Sequence, residues 1–288
     1  MTDNHLLTLQ DYSKTWIEET LAVAGIMKSL KDHKQPLWPS CLLGKNILLY
    51  FEKPSLRTHL TFEIAVRNLG GTPIYYDNSK SLGREADKDM IKNISRWGIN
   101  GIVARVYKQK TLETFVEEGS IPVINALSDW YHPCQALADY MTIKEITGKD
   151  WKDIKLAYIG EPNNVSNSLQ ICGDKLGVTF TVVTPLDNDI KNYTKNINDI
   201  KDYDVIYTDT WLSMGDTTPI EEKISLYKDY QVNQELLDRL NIPYVLHCLP
   251  AHRDQEITNE VMDSHEEIYQ QAENRLWTEM AVLYKLFK

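Results

Sequence analysis

Residues 46–69 read NILLYFEKPSLRTHLTFEIAVRNL. An apolar run, Asn46 to Phe51, meets a turn containing Pro54, and an amphipathic stretch follows from Leu56 to Leu69. A buried strand, a turn and a helix form the repeating unit of a parallel sheet covered by helices. The same alternation continues outward along the chain. Strands are predicted at 46–51, 73–76, 101–106 and 122–125, then at 155–159, 179–183, 205–208 and 244–247. Helices are predicted at 56–69, 87–97, 112–118, 134–147 and 164–176, with an N-terminal helix over 8–30 and a C-terminal one over 273–287. The polar turn Thr147-Gly148-Lys149-Asp150, set between a long helix and a restarted strand pattern, argues for two α/β domains joined near it.

Length and composition suit this reading. A chain of 288 residues with 42% hydrophobic content can fill one or two cores, since a domain usually takes about 100–200 residues. Charged residues at 25% are ordinary for a globular protein and exclude wholesale disorder. With 41 acidic and 31 basic residues the net charge is −10. That balance is poor for binding a phosphate backbone, so no nucleic-acid partner is expected. Apolar stretches such as 46–51 fall far short of the roughly 20 residues that span a bilayer, and no membrane partner is expected. Residues 1–10 show neither a basic leader nor a long apolar segment, so no secretory signal is expected. Cys41, Cys134, Cys172 and Cys248 lack the paired spacing of a zinc site or a dithiol switch. Reduced thiols and a cytoplasmic location follow as expectations. Residues 187–204, rich in Asn, Asp and Lys, read as a solvated surface stretch.

Several segments carry chemistry. At Ser55-Leu56-Arg57-Thr58 a strand leads into a helix N-terminus, where unpaired N–H groups and the helix dipole suit a phosphate. Hydroxyls and a guanidinium fork add to that; the plainer alternative is an N-cap with a surface arginine. His132-Pro133-Cys134-Gln135 follows a strand and starts a helix, placing imidazole and carboxamide about one turn apart. Those groups suit polarising a carbonyl and binding an amino group, although a lone histidine before proline is more often a satisfied loop residue. Asp209-Thr210-Trp211-Leu212-Ser213-Met214-Gly215 puts an acid at the carboxyl end of a parallel strand, where open α/β sheets bind ligands. His247-Cys248-Leu249-Pro250 sets a thiol at another strand end, and Glu273-Asn274-Arg275 opens the last predicted helix. Nucleotide cofactors are disfavoured. After the strand at 155–159 only Gly160 remains of a G-x-G-x-x-G pattern, the next strand ends without an acid, and no Walker A sequence occurs.

Together these segments resemble the aspartate/ornithine carbamoyltransferase family, on its ornithine-using side. S-x-R-T is matched by residues 55–58, H-P-x-Q by 132–135, D-x-W-x-S-M-G by 209–215 and H-C-L-P by 247–250; residues 104–109 and 272–275 also fit. The resemblance implies transfer of the carbamoyl group from carbamoyl phosphate to the side-chain amine of L-ornithine, giving L-citrulline and phosphate. It implies no metal and no cofactor, and a place in arginine biosynthesis or in the reverse, catabolic direction. It also implies two α/β domains, each with a central parallel sheet flanked by helices, linked by long interdomain helices. The carbamoyl phosphate-binding domain would comprise residues 1–143 plus 271–288, and the ornithine-binding domain residues 144–270. A homotrimer, or a multiple of trimers, is the expected assembly.

Residue by residue, the resemblance assigns Ser55, Leu56, Arg57 and Thr58 to the phosphate. Arg105 would bridge phosphate and carbonyl oxygen, His132 would donate to that carbonyl, and Gln135 would take the carbamoyl amino group. Cys248 and Leu249 would lie beside the reacting centre, and Arg275 would complete the cationic ring. Asn164, Asp209, Ser213 and Met214 match positions that hold ornithine, and Leu249–Pro250 matches the family's cis peptide. Arg57, Arg105, His132 and Cys248 are the expected catalytic set. The chemistry agrees, because a phosphate leaving group and a developing oxyanion both need fixed positive charge. Ornithine's amine, with a pKa of about 10.4, must also lose a proton before it attacks; Cys248 and Asp209 are candidates to favour the neutral form.

Three departures stand out. His59 replaces the arginine that usually follows S-x-R-T, Ser81 stands where Gln or His usually reaches toward a neighbouring subunit, and the stretch from Thr184 to Asp209 is short, as if a helix–strand piece were trimmed. Alternative readings are a carbamoyltransferase for putrescine or an N-acylated ornithine, or a non-catalytic descendant that binds carbamoyl phosphate or phosphate.

Overall fold

A computed structural model of the protein describes residues 4–33, 38–78, 85–187, 189, 191–212 and 217–288. Two compact units result, residues 1–138 with 275–288, and residues 139–274. The first contains α1 (Lys14–Ser29), β1 (Asn46–Phe51), α2 (Leu56–Asn68), β2 (Thr72–Asp77), α3 (Asp87–Ile94), β3 (Ile99–Arg105), α4 (Gln109–Glu118) and β4 (Val123–Leu127). Helix α5 (Pro133–Thr147) carries the chain into the second unit. There follow β5 (Lys155–Ile159), α6 (Asn164–Leu176), β6 (Thr179–Val183), β7 (Tyr193–Thr194), β8 (Val205–Thr208), α7 (Ile220–Tyr227), α8 (Gln234–Leu240), β9 (Tyr244–His247) and α9 (Asn259–Ser264). Helix α10 (Glu267–Phe287) brings the chain back into the first unit.

Both sheets are parallel. The first has four strands in the order β2-β1-β3-β4, the second five in the order β7-β6-β5-β8-β9. Each order reverses direction once, between β1 and β3 and between β5 and β8. A crevice opens at such a switch point, because the loops leaving the two strands run to opposite sides. Residues 52–55 and 105–107 leave the first switch point, and 160–164 and 209–212 leave the second. The fold thus aims the motifs without help from their own side chains.

Burial explains the strands. In β1 every residue after Asn46 is buried, and Leu48 and Tyr50 pack with Ile102, Ala104, Leu112 and Phe115. In the second unit Ala157, Ile159, Val183, Ile206 and Val245 pack against Leu236, Leu237 and Ile268. Each such side chain contributes about 1.5–3 kcal/mol relative to exposure.

The structure differs from the predicted elements in several places. Glu273–Asn274–Arg275 does not open the last helix, which begins at Glu267. The Glu267 carboxylate accepts the Val245 N–H at 3.0 Å and pairs with His265 at 2.7 Å, while Ile268 is buried, so the start is anchored earlier. The N-terminal helix starts at Lys14 rather than residue 8, because the Ser13 hydroxyl caps it at the Trp16 N–H and a 3-10 turn, Leu9–Asp11, precedes it. Residues 187–204 are not simply solvated: they supply β7 and a 3-10 turn whose Ile200 is fully buried. Of the piece read as trimmed, a two-residue strand remains, with no α-helix among the described residues between β6 and β8. Finally, α7, α8 and α9 are additional helices, of eight, seven and six residues, too short for a periodic apolar pattern to stand out.

Candidate active site

In the first unit the candidate residues gather at the carboxyl ends of β1, β3 and β4. Ser55 is the N-cap of α2, in an extended conformation, and its side chain makes no capping bond to the helix. Arg57 follows in the first turn, half-buried. Arg105 pairs in register with Phe51 across β3 and β1, and its carbonyl accepts the Glu52 N–H at 2.9 Å, so the 52–55 turn starts beside it. His132 immediately precedes α5 and is 5% exposed. Burial, then the charges of Arg275 and Arg105, hold its imidazole well below the usual histidine range. A neutral ring carrying one N–H can donate to a carbonyl without introducing a further charge.

Arg275 ties the group together. Its Nη1 donates to Gln135 Oε1 at 2.7 Å and its Nη2 to Thr58 Oγ1 at 3.2 Å. Its Nε and Nη2 both donate to Glu279 Oε1, at 3.0 and 2.7 Å. Thr58, Arg105, His132, Gln135 and Arg275 are therefore neighbours, all but buried. Two partners were absent from the sequence reading. Glu279 is signalled only by its i,i+4 spacing from Arg275. Lys53 is 5% exposed, lies 4.3 Å from the Tyr107 ring centroid, and has its ammonium pKa lowered by burial and then by Arg105; it stood unnoticed beside S-x-R-T. His59 stacks on Tyr75 with ring centroids 3.8 Å apart and lies 3.1 Å from the Glu63 carboxylate. Ser81 lies outside the described residues.

In the second unit the centre is Asp209, directly after β8. Its Oδ1 accepts the Cys248 thiol at 2.9 Å and the Thr210 N–H at 2.8 Å, and its Oδ2 accepts Asn163 Nδ2 at 2.8 Å. Burial, then Asp209, push the Cys248 thiol well above its usual range, so it is an S–H donor rather than a thiolate. Asn163 also caps α6, accepting the N–H groups of Val165 and Ser166 at 2.9 and 3.1 Å. Asn164, the expected ligand residue, is the first residue of α6, and its carbonyl accepts the Ser168 hydroxyl at 2.9 Å. Asn163 is the residue that sequence reasoning missed here; Asn163 and Ser166 are a capping-box pair legible from their spacing. Ser213 and Met214 lie outside the described residues. The Leu249–Pro250 bond is cis, as the resemblance implies.

Asp209, His247 and Cys248 place possible metal-ligand atoms within 4.8 Å of one another. Their hydrogen bonds are already committed to one another and to the surrounding loop. His247 Nε2 lies 3.1 Å from Glu256, its Nδ1 accepts the Leu249 N–H at 2.8 Å, and the Cys248 proton goes to Asp209. The thiol hydrogen of Cys248 and both ring nitrogens of His247 are thus engaged within the protein.

Residues 4–145 match the carbamoyl-P binding domain of the aspartate/ornithine carbamoyltransferases, and residues 152–286 match their Asp/Orn binding domain. The chain belongs to the aspartate/ornithine carbamoyltransferase family. Within it, an ornithine carbamoyltransferase of Moritella abyssi is 47% identical over 305 aligned residues, covering 99% of each chain. An anabolic ornithine carbamoyltransferase of Pyrococcus furiosus is 40% identical over 96% of this chain and 94% of its own. The solved structure of ornithine carbamoyltransferase from Pyrococcus furiosus superposes with a TM-score of 0.90 at 37% identity, covering 99% of this chain and 97% of that one. The second family match runs on through 275–286, residues that fold with the first unit. Arg275 thus lies in the part of the sequence matched to the amino-acid domain while packing against Thr58 and Gln135.

Proposed function

We propose that this protein transfers the carbamoyl group of carbamoyl phosphate to the side-chain amine of L-ornithine, releasing L-citrulline and phosphate. The observation that carries the proposal is the convergence of Thr58, Arg105, a neutral His132, Gln135 and Arg275 at the strand ends of the first unit. End-to-end similarity to ornithine carbamoyltransferases supports it.

In this reading Ser55, Leu56, Arg57 and Thr58 receive the phosphate at the N-terminus of α2, and Arg105 and Arg275 share its charge. His132 donates its N–H to the carbonyl oxygen as negative charge develops there, and Gln135 takes the carbamoyl amino group. The amine nitrogen bonds to the carbonyl carbon, the carbon–oxygen bond to phosphorus breaks, and phosphate leaves with that electron pair and takes up the proton lost by the amine. Fixed charge and orientation supply the acceleration. Asp209, already accepting three hydrogen bonds, suits a cationic amino group, with Asn164, Ser213 and Met214 completing the ornithine contacts and Leu249 beside the reacting carbamoyl group. A protonated Cys248 positions rather than attacks.

The assembly in this proposal is a homotrimer. Its support is exposed apolar side chains around the edge strand β2, Leu60, Ile64 and Tyr75 on the side of α2 and Ile74 and Tyr76 on the other face. Side chains of this kind, beside an open strand edge, call for a cover. The cytoplasm is the proposed location: the cysteines are free thiols, and among the described residues no helix is long and apolar enough to cross a membrane. Citrulline formation tests the proposal when ornithine, putrescine and N-acetylornithine are offered in parallel with carbamoyl phosphate. Product from ornithine alone is expected. Product from putrescine instead would reassign the substrate, and none from any amine would leave an anion-binding protein without turnover.

A further inference from the structure

Glu279 belongs to none of the motifs above. It lies four residues beyond Arg275 on α10 and is fully buried in the first unit. Two of the five guanidinium donors of Arg275 converge on its Oε1, while Nη1 reaches Gln135 and Nη2 reaches Thr58. Because those donors lie in one rigid plane, the bonds to Glu279 fix which edge of Arg275 meets Thr58 and Gln135. Both of these are residues assigned above to carbamoyl phosphate.

We propose that Glu279 is the positioning residue of the anion pocket: it aims Arg275, offsets its charge while the pocket is vacant, and takes up a proton when a tetrahedral dianion binds. The inference rests on the reading of Arg275 as an anion-binding residue. A carboxylate bonded to a guanidinium nearly cancels its charge at a distance. An arriving dianion adds negative charge beside that carboxylate and favours its protonated form. The neutral acid still accepts from Nε through its carbonyl oxygen, and the full charge of Arg275 then faces the anion.

The surroundings isolate this titration. Glu279 faces Arg275 on its own helix, Thr61 from α2 and Cys134 from α5. Burial pushes Glu279 up to about 7, with Arg275 and Thr61 opposing it. Burial, then Glu279, raise the Cys134 thiol far above neutrality, and His132 is held well below its usual range. Of these groups, Glu279 alone changes charge between about pH 6 and pH 9.

Sulfate is the probe, since it is a tetrahedral dianion that does not titrate in this window. Its dissociation constant is measured by calorimetry from pH 6 to 9 for the full-length protein and for Glu279→Gln, whose amide oxygen can keep the bonds from Arg275. The ratio of the wild-type constant to the variant constant is expected near one at pH 6 and about tenfold higher by pH 9. Wild-type protein should also take up protons on binding at pH 8, read from two buffers of different ionisation enthalpy; this holds even if the variant misfolds. A pH-independent ratio without proton uptake overturns the proposal, as does equal weakening at every pH, which would mark Glu279 as structural only. Arg275→Lys separates the two layers: unchanged sulfate affinity, or no sulfate binding to any form, would refute the anion pocket itself and the role of Glu279 with it.

Discussion

The two units place polar clusters at the same kind of position, the carboxyl ends of parallel strands beside a switch point, but they stabilise opposite charges by different means. In the first unit arginines are held by buried side chains from distant segments: Thr58 and Arg275 are 217 residues apart, and the acid that pairs with Arg275 is on its own helix. In the second unit one carboxylate is held by the loops that leave β5, β8 and β9, which bring Asn163 and Cys248, 46 and 39 residues away, to it beside the adjacent Thr210 N–H. A buried guanidinium has five donors to satisfy, so it needs a scaffold of several elements. A carboxylate accepts from whatever N–H, S–H or amide groups the loops present. The cationic cluster is therefore pre-arranged by the packing of helices and strands, and the acidic one by hydrogen bonds among the loops at the strand ends.

This contrast can be broken, most decisively at Arg57. Arg57→Ala should lower kcat/KM for carbamoyl phosphate about 10³-fold, on the scale of losing a main charge stabiliser; near-normal kinetics would move the phosphate away from residues 55–58. Asp209→Asn should act on the other half, lowering kcat/KM for ornithine about 10²-fold while sulfate affinity stays unchanged. Equal losses for ornithine and sulfate would dissolve the distinction between the clusters. Cys248→Ser should retain activity about tenfold below wild type, one hydrogen bond's worth, with no carbamoylated protein detected by mass spectrometry. Complete loss together with a covalent adduct on the wild-type thiol would make Cys248 a nucleophile instead.

The smallest effect concerns pH and stability. Burial and two arginines lower the folded pKa of His132 below its value in the unfolded chain. The unfolded state therefore binds the proton more readily, so this group's contribution is complete above pH 6.5 and is lost as pH falls below it. Melting temperature should fall between about pH 6.5 and 5.5, and His132→Gln should flatten that slope. An unaltered slope would mean that another group governs acid stability.

Much of this was legible in the chain. Strands β1, β5, β6, β8 and β9 have the limits expected from apolar runs ending in polar turns. After their first residue β1, β5 and β9 are buried throughout, as is all of β8, because parallel sheets are covered on both faces. Motif residues 55–58, 132–135, 209 and 248 fall at strand ends or helix starts, because the alternation of elements already dictates where loops leave a sheet. Less legible were the partners. The capping-box spacing to Ser166 marks Asn163 as the cap of α6, but nothing local shows that its amide also holds Asp209. Lys53 reads as a surface cation until β1 and β3 bury it beside Arg105. Helix α10 was placed too late because its first turns are fixed by Val245 and His265, contacts with no trace in the periodicity of residues 267–272.

What the sequence alone determined was the alternation of elements, the two-sheet α/β architecture, the family resemblance and the chemical types available at each strand end. All of these depend on the order of apolar and polar residues along the chain. Only the tertiary structure decided which charges are neutralised and by whom: that Glu279 faces Arg275, that His132 is kept neutral by burial and then by two guanidinium groups, and that the Cys248 thiol gives its hydrogen to Asp209. The reason is physical. Protonation and pairing depend on burial and on separations of a few ångströms between groups far apart in the chain, and those distances exist only after the sheets and helices have packed.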